Sequence, residues 1–473
     1  MAHNVDVVVV GAGLSGLTTA YRLVRQGIDR VVVLEAKDRV GGRTLTTTVD
    51  GTVLDAGATI ISPAQKDILA LAADLGIRTI RSYRGRYVYL LHGERRTMAG
   101  LPGWAATPAL SEVLVRLLSI AAKLPLRGRT PMTEILRPMA KLEELRRTVP
   151  PLQPWLAKAA GRLDGQSLQD WIDRETSPGE ARQLLEYLFA SYFAPRPERI
   201  SLLYDLHVLN TWGGLAGLFA AQSNTLRFEG GAQSLSLAMA ERLGGRVRLG
   251  SAVRVVAEID GGYSVHTQRN DFRATHVVLA VPPKNSIGFR PELPEGRRLL
   301  QDGWESVSAV KINVVYGVPF WRRQRLAGAV SDLRAAPAVI DTTQGDREAV
   351  LSSYVVVAPP DTPLGNEQSY YSDPASRKEA VLSTLERQFG PEARDIAAYH
   401  DKNWDEEPFQ NGCEGGLAPG VLTRAQTALI TPVGGIHWAG VETARRWAGW
   451  MNGAVEAGDR AAAEIADAMG SRQ

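Results

Sequence analysis

The chain opens on a β-branched apolar run, Val5–Val10, of the kind that a strand buried on both faces requires. The turn-rich stretch Gly11–Gly16 follows, and Leu17–Arg25 has the spacing of a helix. Val31–Leu34 repeats the buried-strand pattern, so residues 1–35 predict a βαβ unit. From about 100 to 225 the apolar positions recur at helical spacing. The clearest start there is Ser177-Pro178-Gly179-Glu180: serine caps, proline fits the first helical position and glutamate reaches back, opening a helix to about Phe193. From Arg246 the period becomes that of strands. A run to Ile259 is followed by a turn at Gly261-Gly262, then Tyr263–Thr267 and a buried run His276–Val281 stopped by Pro282-Pro283. Residues 285–398 mix strands (Val307–Tyr316, Val350–Val357) with a helix near Ser376–Phe389. The chain ends on a strand, Ile436–Gly440, and a helix, Met451–Met469. Rossmann-like pieces thus fall at both ends and in the middle, which predicts one nucleotide domain interrupted twice.

Composition changes this picture little. With 473 residues, 44% hydrophobic and 22% charged, the chain is ordinary globular material of about three domain-sized units. The net charge of +3 and the absence of a long Lys/Arg run exclude a nucleic-acid stripe. One local excess, eight Lys/Arg against three Glu between Arg116 and Arg147, reads as a solvated helical face or a patch for a membrane or partner. The single cysteine, Cys413, rules out an internal disulfide and fits a reducing cytosol. The start has no signal-peptide pattern, no stretch reaches 18 apolar residues, and the chain stops just after its last helix. A soluble cytoplasmic protein without a transmembrane anchor is expected.

Chemistry enters with Gly11-Ala12-Gly13-Leu14-Ser15-Gly16, a GxGxxG turn between strand and helix. Gly11, Gly13 and Gly16 permit the tight turn and let backbone amides, including that of Ser15, approach a pyrophosphate at the helix N-terminus. Glu35 closes the second strand, where a carboxylate accepts hydrogen bonds from both ribose hydroxyls and repels a 2′-phosphate, disfavouring NADP. The next segment argues for FAD over NAD. After Glu35 and Ala36, the run to Gly42 and Arg43 sets glycines against a diphosphate and supplies a guanidinium fork for phosphate oxygens. No second strand leads into another GxGxxG, so the substrate itself should reduce the flavin. No metal is called for.

At this point the sequence resembles the flavin-containing monoamine oxidase family, which includes polyamine and putrescine oxidases. The blocks are DVVVVGAGLSGL (6–17), LEAKDRVGGRT (34–44), DAGATIISPAQ (55–65), KINVVYGVPFW (311–321), NWDEEPFQNGC (403–413) and HWAGVETARRWAGWMNGAVEAGDRAA (437–462). The resemblance implies an α/β fold in which a Rossmann-like, glutathione-reductase-type FAD domain (1–80, 226–284, 399–473) is interleaved with a mixed α+β substrate domain (81–225, 285–398). It places Gly57, Ala58 and Thr59 beside the flavin, the Val253 backbone at the adenine, Trp404 near the isoalloxazine, and Glu442 and Met451 on other parts of the cofactor. Met451 opens a helix rich in small residues, whose positive end suits the anionic edge of reduced flavin.

Lys311 is the expected catalytic residue. It interrupts an apolar strand, where burial should lower its pKa or demand acceptors; a lysine on an edge strand, pointing at solvent, is the alternative. In the family the matching lysine reaches flavin N5 through water and assists reoxidation. The family flanks the amine path with two aromatic rings. Trp450 matches one position, but Glu414 stands at the other, so the substrate is expected to carry a second positive charge, as in diamines, polyamines or amino sugars; a Glu414 turned to solvent at a loop tip between Gly412 and Gly415 is the alternative. Cys413 falls where some members attach FAD by a thioether; an inert thiol is the alternative. The expected activity is oxidation of an amine to an imine with O2 as acceptor, releasing H2O2. A related dehydrogenase or desaturase, or an L-amino acid oxidase using Arg81, Arg84 or Arg86 for the carboxylate, is the alternative. The partners are a small-molecule amine and O2, with no nucleic acid, and a homodimer is compatible with this reading.

Overall fold

The two valine runs and the helix between them form as their patterns require. The computed structural model of the chain describes residues 3–91, 94–99, 112–113, 115–116, 120, 134–182, 185–186, 189, 197–223, 225–329, 338–344, 349–356, 373–410, 412–413 and 415–470. In chain order the framing elements are β1 (Val7–Val10), α1 (Leu14–Arg25), β2 (Val31–Leu34), β3 (Arg86–Leu91) and β4 (Glu94–Ala99). Then come β5 (Val247–Arg248), β6 (Val253–Ile259), β7 (Gly262–Thr267), β8 (His276–Leu279) and β9 (Ala309–Tyr316). β10 (Leu326–Ala329), β11 (Val339–Asp341), β12 (Ala349–Val356), α2 (Pro374–Phe389), β13 (Ala398–Asn403), β14 (Ile436–Trp438) and α3 (Met451–Gly470) complete them.

β5, β2, β1, β8 and β14 form one parallel sheet in that order. On one face Val7, Val9, Val31, Val33 and Val278 pack with Leu17 of α1 and Val455 of α3; on the other Val8, Val10, Val32, Leu34 and Val277 meet Tyr263 and Val265 of β7. Both faces are dry, so the apolar runs are continuous rather than alternating. The small residues of α3 let it lie against α1. A Cβ on Gly458 would come within 2.6 Å of the Ser15 carbonyl oxygen.

The second large sheet has the order β13–β9–β12–β11–β10–β3–β4. Its strand β9 is antiparallel to both neighbours, β12 and β13, so it is internal. Val310, Ile312, Val314 and Tyr316 share a core with Leu385 and Phe389 of α2. By the two-residue period, Lys311 and Asn313 point to the opposite face.

Four expectations change. β1 starts at Val7, after the charged Asp6. Gly179, at φ +152°, keeps Ser177–Gly179 out of the helix, whose residues begin at Glu180; beyond it only 181–182, 185–186 and 189 are described. The run from Arg246 splits, because Gly250 at φ +60° turns the chain between β5 and β6. Lastly, β13 lies across the expected 398/399 boundary and bonds to β9, while Gly288–Arg290, beyond the one at 284/285, pairs with β6.

Candidate active site

The carboxyl ends of β1 and β2 and the Lys311 face of β9 border one cleft of about 820 Å³, within the roughly 300–1,000 Å³ range of ligand and cofactor sites. Gly11, Gly13, Ser15, Glu35, Ala36, Gly42, Arg43, Gly57, Ala58, Thr59, Val253, Lys311, Trp404, Cys413, Trp450 and Met451 all line it. Gly16 and Glu442 do not line it, and Glu414 lies outside the described residues.

At the dinucleotide end the glycines divide by cause. A Cβ on Gly16 would sit 2.0 Å from the Gly11 carbonyl oxygen, and one on Gly11, at φ +101°, would sit 2.7 Å from that of Ala280. Those two are demanded by the protein's own packing. Gly13 is different: its Cβ would meet only the Gly42 Cα, at 3.9 Å. Gly13 is also the N-cap of α1 and offers its first-turn amides no side-chain cap. Space and unclaimed donors there fit a diphosphate. Glu35 is held by the Ala12 amide at 2.7 Å and the Lys37 amide at 2.9 Å, one on each oxygen. A carboxylate has about four acceptor sites, so it retains capacity for a ribose diol.

At the other end Trp404 donates its indole N–H to the Ala56 carbonyl at 2.9 Å and covers Gly57, where a Cβ would strike the ring at 2.9 Å. Thr59 Oγ1 donates to the Gly57 carbonyl at 3.1 Å. Trp450 stands edge-on to Trp212 and Trp447, with ring centroids 6.0 and 5.8 Å away, which fixes its plane. Lys311 is 6% exposed. Burial lowers its pKa to about 8, while Asp55 and Cys413 oppose that shift and Arg227 adds to it. An internal strand with this lysine at the cleft wall replaces the edge-strand alternative.

Arg43 lines the cleft and also reaches across it to the cysteine-bearing segment. Its Nη1 donates to the Cys413 carbonyl at 2.7 Å and its Nη2 stands 3.9 Å from Glu442. It therefore braces the cysteine-bearing segment. Glu442 is buried, which raises its pKa against the pull of Arg43 and Arg297. The Cys413 thiol is exposed and at the cleft.

The profile of flavin-containing amine oxidoreductases matches residues 14–466. The chain belongs to that family. The flavin-containing amine oxidase of Oncorhynchus mykiss is 30% identical over 99% of this chain and 87% of its own. A putrescine oxidase solved with putrescine superposes with a TM-score of 0.86 at 29% identity, covering 99% of this chain and 100% of its own. Cyclohexylamine oxidase from Brevibacterium oxydans does so at 0.86 and 28%, covering 98% and 99%. The protein is an FAD-dependent amine oxidase that takes a C–N bond to an imine, with O2 as the acceptor that becomes H2O2.

Several residues at the site escaped the sequence reading. Phe409 and Gln410 line the cleft, Phe409 at φ +67°. Glu407 gathers Lys37 at 2.8 Å, Lys402 at 2.5 Å and Arg39. Asp55 and Arg227 lie near Lys311. The one available signal was Asn313, a polar residue two positions past Lys311 and so on its face. Among the described residues no helix is long and apolar enough to cross a membrane.

Proposed function

We propose that this oxidase acts on an amine carrying a second positive charge, such as a diamine, polyamine or amino sugar. One observation carries the reading: Glu414 directly follows Cys413, whose thiol is at the cleft, and replaces an expected aromatic. A carboxylate on a partly desolvated path attracts a second ammonium by about 1 kcal/mol or more. The likeness to a putrescine oxidase supports it. The test compares kcat/KM for a diamine and its monoamine analogue in wild type and Glu414→Gln. The substitution is expected to lower the diamine-to-monoamine ratio about fivefold or more. An unchanged ratio refutes the role and favours an apolar monoamine.

In this reading Gly11, Gly13 and Ser15 would hold the diphosphate of FAD, Glu35 its ribose, Val253 its adenine, and Gly57, Trp404, Trp450 and Met451 its flavin. When bound it accepts the hydride from the carbon next to nitrogen. Trp404 and Trp450 shape the amine path, Lys311 manages the proton during reoxidation, and Glu442 holds Arg43. The FAD domain gains Gly288–Arg290 and yields β13, giving 1–80, 226–290 and 404–473. A thioether from Cys413 to the flavin is part of the proposal. Acid precipitation of native protein is expected to keep the yellow colour in the pellet, and colour in the supernatant rules the bond out. A cytoplasmic homodimer completes the reading, to be checked by cell fractionation and sedimentation.

A further inference from the structure

The wall that carries Lys311 holds buried charges to which the proposed chemistry gives no role. Asp55 ends the strand Thr52–Asp55 and is buried. Its Oδ1 accepts from Thr46 Oγ1 at 2.7 Å and from the Ala232 amide at 2.9 Å, and two donors on one oxygen set the plane of the carboxylate. Asn313 donates to the Asp55 carbonyl at 3.1 Å, and the Ser352 hydroxyl donates to Asn313 Oδ1 at 2.5 Å. The Lys311 face of β9 is therefore pinned to Asp55 two residues from the lysine. Arg227, 2% exposed, is a second buried charge in this region and donates to the carbonyls of Thr342 and Thr343. Asp341 accepts two bonds from Arg322, at 2.7 and 3.0 Å. Arg227 thus has the carboxylates of Asp55 and Asp341 acting on it, and Lys311 feels both Asp55 and Arg227.

An ammonium taken out of water stays ionised only with an opposite charge close by. Asp55, Cys413 and Arg227 bear electrostatically on Lys311, and Asp55, pinned to the lysine's strand through Asn313, is the carboxylate among them. We propose that Asp55 is a positioning residue for Lys311, with Arg227 as its counterweight, and that the two set how readily the lysine releases and regains its proton. The consequence for turnover rests on the role proposed above for Lys311; the charge relation stands apart from it.

The test reads the lysine directly. Holoenzyme with lysines labelled at 13Cε is titrated by NMR, and the Lys311 signal is the one missing in Lys311→Met. Asp55→Asn keeps an acceptor for Thr46 and Ala232 but removes the charge, and it is expected to lower the midpoint by about one pH unit or more. Asp55→Glu is expected to restore it, which a purely structural role would not do. Arg227→Met is expected to raise it, and this variant decides the matter should Asp55→Asn not fold. An Asp55→Asn midpoint equal to wild type, or in its absence an unmoved Arg227→Met midpoint, overturns the proposal. Stopped-flow reoxidation by O2 separates the two readings. A shifted NMR midpoint with an unshifted reoxidation profile refutes the role of Lys311 in reoxidation and leaves the Asp55 relation standing.

Discussion

Gly13 and Gly16 belong to one turn, yet they are glycine for different reasons, and the difference can be measured. At Gly16 a methyl group would be driven into the Gly11 carbonyl at 2.0 Å, whereas at Gly13 it meets nothing of the protein closer than 3.9 Å. Gly16→Ala is expected to destabilise the fold by about 1–3 kcal/mol, as overpacking does. Gly13→Ala is expected to leave the stability of the apoprotein nearly unchanged and to lower the flavin-to-protein ratio, because its methyl occupies space only a ligand would use. Urea unfolding of the apoproteins, with flavin content read at the visible band, checks both. Equal flavin content in Gly13→Ala and wild type would remove the diphosphate from this turn. Lys311 teaches the same lesson in another chemistry: an anomalous residue in an apolar strand was legible, but the charges that make it tolerable were not. Asp55 and Arg227 are 256 and 84 positions away in sequence, and nothing local marks them.

At the scale of elements, the segment that follows β13 is strapped across the dinucleotide sheet by Glu407. This carboxylate receives Lys37, Arg39 and Lys402, joining the residues after β2 to those before Cys413. Burial works against its ionisation, but the bonds from Lys37, Lys402 and Arg39 win and hold its pKa at about 2. The sign follows. The folded value lies below the free carboxyl value of about 4.5, so the contribution is complete above pH 4.5 and is lost as pH falls towards 2. Glu407→Gln is expected to cost about 1.5–3 kcal/mol near neutrality and progressively less in acid. Thermal midpoints of the two proteins against pH should converge on acidification; a constant difference would show that the charge contributes nothing. Helix starts show where local reading fails. Ser177-Pro178-Gly179-Glu180 has the residue types of a cap, but the backbone of Gly179 takes φ +152°, while Ser167 and Asp170 form a capping box of their own. Likewise the basic stretch from Arg116 to Arg147 is laced with carboxylates: Arg116 reaches Glu112, and Arg146 and Arg147 reach Glu143. Lys141 likewise reaches Glu175, while Arg137 is exposed.

For the whole molecule, the cleft is lined from residue 10 to residue 454, so a cofactor there touches both sheets and should stabilise them as one unit. Free FAD at about 100 times its dissociation constant is expected to add roughly 2.7 kcal/mol to refolded apoprotein. Calorimetry should show one transition moving upward with FAD; two transitions, only one of them moving, would mean that the cofactor bridges nothing. The sequence alone determined the parallel βαβ start, the glycine turn with Glu35, the buried lysine and the closing small-residue helix, because each is written in a short window of periodicity or spacing. Tertiary structure decided the rest. It assigned β13 to the second sheet and Gly288–Arg290 to β6, turned Arg43 to the Cys413 carbonyl, made β9 internal and brought Asp55 and Arg227 to Lys311. Those outcomes depend on which distant groups share a low-dielectric interior, where an opposite charge is worth most and where no local pattern records who the neighbours are.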